Sequence, residues 1–233
     1  MDFMLLGYEN ILTVTLAIVG FIVVIWAQSN ISRTYQRSKR IKTGGNLTGQ
    51  EVARKILDEH GLSNIYIVET QGELSDHYDP RRKVVRLSRE VFHGTSVASV
   101  AVAAHEVGHA IQDKEKYPMM RFRSALVPFV NLVTYLGYFG LIVSLIGGIT
   151  GYIKLSILVI LATLLFQLVT LPVEFDASKR AEKNLQKLSL ISSGEKEDVH
   201  AMLKAAALTY VASFISTILS LLRLVIMLGN DRD

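Results

Sequence analysis

The chain of 233 residues contains no cysteine. That absence excludes a disulfide framework, thiol catalysis, and zinc fingers or ribbons built on thiolate ligands. Charge is absent locally as well. Residues 11–27, 125–146, 155–173 and 207–228 together hold one charged side chain, Arg223, while the remainder is as charged as a soluble surface. No internal repeat or low-complexity segment is present. The whole-chain averages, 50% hydrophobic and 20% charged, hide this segmentation. The segmentation excludes an ordinary soluble globular protein and a disordered one.

A helix rises about 1.5 Å per residue, so about 20 apolar residues cross a bilayer core. All four segments are near that length, which predicts about four transmembrane helices. The first segment lacks a basic region before it, carrying Asp2 and Glu9 instead. It therefore reads as an uncleaved anchor. Residues 29–124 hold sixteen Lys and Arg, beginning with Arg33, Arg37, Lys39, Arg40 and Lys42, and residues 174–206 hold six more. The opposite side has only Lys154 and Arg232. By the positive-inside rule both polar segments face the cytosol, on an out-in-out-in-out path. The net charge of +4 is then a topology signal that favours membrane lipids and needs no nucleic-acid partner. Arg223, six positions from the end of the last segment, reads as a snorkelling side chain.

Residues 43–124 are long enough for a small folded unit. Thr48 and Glu51 have capping-box spacing, and Val52, Ala53, Ile56 and Leu57 recur at helical spacing until Gly61. Ile65-Tyr66-Ile67-Val68 and Val84-Val85-Arg86-Leu87 read as strands, with Tyr78-Asp79-Pro80-Arg81 as a turn. They predict a small antiparallel sheet. Residues 95–113 read as a buried helix of small side chains. Residues 174–206 read as a charged helical segment, broken at Ser192-Ser193-Gly194.

The buried helix carries His105-Glu106-Val107-Gly108-His109, an H-E-x-x-H motif. Residues i and i+4 share a helix face, so two imidazoles can bind one cation from the same side. The residue after the first histidine is rotated about 100° around the axis, out of reach of the cation but within reach of its water. Zinc lowers the pKa of such a water to about 7, and Glu106 is placed to take its proton as it attacks a carbonyl. The same carboxyl can later protonate the leaving amine.

Catalytic zinc takes three protein ligands and keeps a position open. The metzincin extension is absent, because Gln112 and Glu115 stand where glycine and histidine would be needed. A site-2-type intramembrane protease would put the motif inside a span and follow it with Leu-Asp-Gly, and neither is found. Glu174 is the foremost third ligand, directly after an uncharged segment and on the same membrane side as the histidines. Asp176, His60, His77, His93 and His200 are rivals. For the oxyanion, His77, Tyr78, Arg180 and Tyr210 are candidates. The stretch 76–79 also reads as turn or edge-strand chemistry, and an edge strand there would suit alignment of an extended peptide.

Three longer stretches carry a resemblance. They are Ala103-Ala104-His105-Glu106-Val107-Gly108-His109-Ala110-Ile111-Gln112, Leu171-Pro172-Val173-Glu174-Phe175-Asp176-Ala177-Ser178 and Ala206-Ala207-Leu208-Thr209-Tyr210-Val211-Ala212. With Leu74-Ser75-Asp76-His77-Tyr78-Asp79-Pro80, the chain resembles the YugP-type membrane zinc metallopeptidases of bacteria. More distantly it resembles the HtpX/Ste24-type membrane peptidases, which use a Glu-x-x-Ala-Asp pattern. The resemblance implies His105, His109 and Glu174 as zinc ligands, Glu106 as base, and Ala177 as the family alanine. Ser178 departs from the pattern, since the distant relatives have there an aspartate that orients a metal-binding histidine. Asp176 is a candidate for that part.

The expectation is thus a mainly α membrane protein with a small α+β cytosolic unit, residues 43–124, carrying the H-E-x-x-H helix. Its activity would be zinc-dependent hydrolysis of membrane-associated or unfolded proteins at the cytosolic face of a bacterial inner membrane. Two alternatives stand beside it: cleavage inside the bilayer, and a non-proteolytic scaffold or chaperone with a structural zinc. Nothing in the sequence sets the oligomeric state.

Overall fold

The computed structural model describes residues 2–147 and 152–230, and the chain is mainly helical. Helices α1 (Asp2–Arg40), α5 (Pro118–Gly147), α6 (Tyr152–Lys187) and α7 (Lys196–Asn230) carry the four apolar segments. Three stretches, Ile11–Arg40, Leu155–Lys187 and Ser193–Leu228, are long and apolar enough to cross a membrane. The second predicted span lies on α5.

The fold divides into two compact units. One gathers Met1–Gln28, Phe122–Thr170 and Thr209–Asp233, and the other Ser29–Arg121 and Leu171–Leu208. In the first unit large apolar side chains point outward: Phe21 is 66% and Phe139 67% exposed. Exposed apolar surface on this scale suits lipid and would be costly in water.

The second unit contains α2 (Gly49–Glu59), β1 (Tyr66–Thr70), β2 (His77–Asp79), β3 (Val84–Ser88), α3 (Arg89–His93) and α4 (Val97–Lys114). A capping box starts α2: Thr48 Oγ1 accepts from the Glu51 amide at 3.2 Å, and Glu51 Oε2 accepts from the Thr48 amide at 2.8 Å. The α2 chain turns out at Gly61, whose φ of +63° suits glycine. Val52, Ala53, Ile56 and Leu57 from α2 are buried with Val85 and Leu87 of β3, Val97, Ala98, Val100, Ala101, Ala103 and Ala104 of α4, and Ala181 and Leu185 of α6. This core fixes the pose of α4.

The sheet corrects the predicted antiparallel pairing. Its strand order is β1-β3-β2, with β2 antiparallel to β3 but β1 parallel to it. The cause lies in the stretch that reads as a turn. Asp79 Oδ1 accepts from the Arg81 and Arg82 amides, which folds β2 back onto β3. That hairpin occupies one side of β3, so β1 pairs on the other side. The α4 helix is held at its start by Ser96 Oγ, which accepts from the Ser99 amide. Residues 41–43 pair with 95–97 just before it, the Val97 amide donating to the Ile41 carbonyl at 2.8 Å.

Candidate metal centre

The second unit brings α4 against the part of α6 that begins at Leu171. His105 and His109, one turn apart on α4, have ring centroids 4.8 Å apart and nearly perpendicular planes. Glu174 of α6 faces both: its Oε2 lies 3.3 Å from His105 Nε2 and 3.7 Å from His109 Nε2. One donor atom from each of the three side chains lies within 4.8 Å of the others. The group has three members among the described residues.

Burial sharpens its meaning. Glu174 is 3% exposed and His109 8%. A carboxylate taken out of water needs compensating partners, and two imidazole nitrogens supply them. Burial pushes the His109 imidazole down, but contact with Glu174 and the charges of Glu106 and Glu174 outweigh this, so it is raised. Two imidazoles and one carboxylate are a donor set that suits zinc. The residues present therefore fit that ion.

The ring nitrogens that turn away from Glu174 are also held. Ser178 Oγ lies 3.2 Å from His105 Nδ1, and Gln112 Oε1 lies 2.9 Å from His109 Nδ1. Ser178, where the distant relatives would have an aspartate, thus meets a histidine of the group directly. Asp176 meets neither histidine; its Oδ2 accepts from Gln112 Nε2 at 2.8 Å. The Arg180 guanidinium bridges Asp176 and Glu115, bonding the latter at 2.7 Å.

Glu106 lies on α4 and is nearly buried, at 8% exposure. It makes no hydrogen bond to another described residue. Its charge reaches Asp76: burial, opposed by bonds from Ser88 and reinforced by Glu106, lifts the Asp76 carboxyl. Asp76 directly precedes β2, which puts the start of that edge strand within the field of Glu106.

The remaining sequence candidates have other partners. Tyr78 commits its O–H to Asp113 at 2.7 Å, and burial with that bond pushes its phenol up. His77 Nδ1 lies 2.8 Å from the Ser75 carbonyl. Tyr210 is on α7 within the first unit. Of the rival ligands, His60 meets Asn184, His93 meets Glu69, and His200 meets Glu182. Sequence reasoning treated Gln112 only as a missing glycine. Its signal was available: a polar residue at i+3 from His109, directly after the apolar pair Ala110-Ile111.

Two histidines of an H-E-x-x-H helix and a glutamate of a second helix, with His105 half-buried and the other two buried, form a group that could hold a metal ion. The chain belongs to the family described as "Putative neutral zinc metallopeptidase", whose model matches residues 13–229. It is similar to "Putative membrane protease YugP" of Bacillus subtilis (strain 168), with 39% identity over 208 residues, 89% of this chain and 92% of the relative. No solved structure matches the chain.

Proposed function

We propose that this chain is an integral-membrane zinc endopeptidase that cuts membrane-associated or unfolded proteins at the cytosolic face of the bacterial inner membrane. The observation that carries the reading is the convergence of His105, His109 and Glu174, from two helices, on one point. When bound there, zinc supplies a Lewis acid and makes water a nucleophile near neutral pH. His105, His109 and Glu174 would hold it, and three protein ligands suit a catalytic role better than a structural one.

Glu106 sits one residue after His105, turned from the ligand face of α4, and makes no competing hydrogen bond among the described residues. Its carboxylate accepts the proton of the attacking water and delivers it to the departing amine nitrogen. Strand β2 ends the sheet beside Asp76, which supports alignment of an extended substrate by strand addition. Four spans, with α5 the second, place both polar segments in the cytosol under the basic-residue rule.

The test uses the purified full-length chain in detergent with zinc and fluorescein-labelled denatured casein. Glu106→Gln is expected to retain zinc and lose cleavage by about 100-fold or more. Unchanged turnover would remove the mechanism. A fourth protein ligand detected by X-ray absorption would favour a structural zinc instead.

A further inference from the structure

Gln112 is fully buried, and each of its amide atoms has a partner. An amide can be placed either way round, and here the backbone decides. The Val173 carbonyl, 2.8 Å away, can only accept, so the group facing it is the amide NH2. Asp176 Oδ2, also 2.8 Å away, takes the second N–H. Both donors are then spent, and the atom facing His109 Nδ1 at 2.9 Å is the acceptor Oε1. Nδ1 must therefore carry a proton. A neutral imidazole protonated at Nδ1 has its lone pair on Nε2, the nitrogen that faces Glu174.

We infer that Gln112 is a positioning residue that fixes the Nδ1–H tautomer of His109 and so selects Nε2 as its metal-binding nitrogen, with the Val173 carbonyl as the reference point. The inference rests on the proposed zinc site. It also explains why an amide stands here. A glutamate at 112 would keep an acceptor for Nδ1, but it would strip the buried Val173 carbonyl of its donor and set two carboxylates together at Asp176. An apolar residue would leave Nδ1 without an acceptor and take from the Val173 carbonyl the donor it has beyond its own helix. His105 has no such reference, because the Ser178 hydroxyl beside its Nδ1 can donate or accept.

The direct test needs no substitution. Long-range proton–nitrogen NMR on zinc-loaded, ring-labelled wild-type protein in detergent is expected to show His109 protonated at Nδ1 and metal-bound at Nε2. The reverse arrangement overturns the inference alone; wild-type protein that binds no zinc overturns it together with the proposed function. Chelator competition supplies a second readout. Gln112→Met is expected to weaken zinc binding by about 10–100-fold, the range for loss of a group that orients a ligand. Gln112→Glu, which keeps the acceptor, should fall between Gln112→Met and wild type. Wild-type affinity in Gln112→Met overturns the inference, and where that variant fails to fold the NMR experiment decides.

Discussion

A Cβ on Gly108 would stand 2.6 Å from the carbonyl oxygen of Ala177. Gly108 directly precedes His109 on α4 and Ala177 follows Glu174 by three residues on α6, so their contact sets how closely the helices approach there. The obstacle is backbone, which cannot rotate aside as a side chain can. Gly108 is thus one of the two variable positions of the H-E-x-x-H motif, yet its neighbour leaves no room for a side chain.

Gly108→Ala should therefore destabilise the second unit by about 1–3 kcal/mol, the usual cost of overpacking. In an uncrowded helix interior the same change would stabilise by about 1 kcal/mol, so the sign decides the matter. Gly194, with nothing within 4 Å of its would-be Cβ, is the control. Thermal unfolding in detergent with zinc content on the same samples measures both. A Tm for Gly108→Ala at or above wild type would sink the close-approach argument.

Among the described residues Glu174 is the one carboxylate that faces both histidines, and Glu174→Ala should abolish stoichiometric zinc. Glu182→Ala, which removes the partner of His200 on the same helix, should leave zinc content unchanged. Atomic absorption after dialysis against a weak chelator reads both variants. Full zinc retention by Glu174→Ala would mean that another side chain completes the site.

The features that were legible in the sequence are local. The Thr48–Glu51 box, the stop at Gly61 and the small-residue helix of the motif each depend on contacts within a few residues. The parallel pairing of β1 with β3 was not legible, because the Asp79 turn had first to claim the other side of β3. Gln112 was hidden for a related reason. Its role depends on Val173 and Asp176, over sixty positions away, and no spacing within α4 reveals that. The approach of Gly108 to Ala177 is equally non-local.

The capping box predicts a pH dependence confined to one helix end. Hydrogen bonds from the Thr48 backbone and hydroxyl hold the Glu51 carboxyl below its ordinary 4.5. A carboxyl lowered in the folded state adds stability above its unfolded pKa, and that stability is lost as pH falls through the folded value. Protection of the Thr48 amide, taken relative to its intrinsic exchange rate at each pH, should therefore fall below about pH 4.5 in wild type, whereas Glu51→Gln should show no such step. Thr48→Ala should cost about 1 kcal/mol at neutral pH without altering zinc content. A wild-type exchange profile parallel to that of Glu51→Gln would show that the carboxylate contributes nothing as an ion.

The absence of cysteine makes the proposed orientation directly testable, since any introduced thiol is the only one present. Ser75 and Ser193 belong to the polar stretches assigned to the cytosol; within the second unit Ser193 is exposed and Ser75 half-exposed. Glu9, before the first apolar segment, is assigned to the outside. In intact bacterial cells a membrane-impermeant maleimide should label Glu9→Cys at once. It should label Ser75→Cys and Ser193→Cys only after permeabilisation. Four spans require Ser75 and Ser193 to behave alike, because two spans separate them. With α5 outside the membrane a single span would separate them, and one thiol would label in intact cells while the other did not. Opposite behaviour of Ser75 and Ser193 would therefore reject the four-span reading, and early labelling of both would reverse the orientation while leaving the metal centre intact.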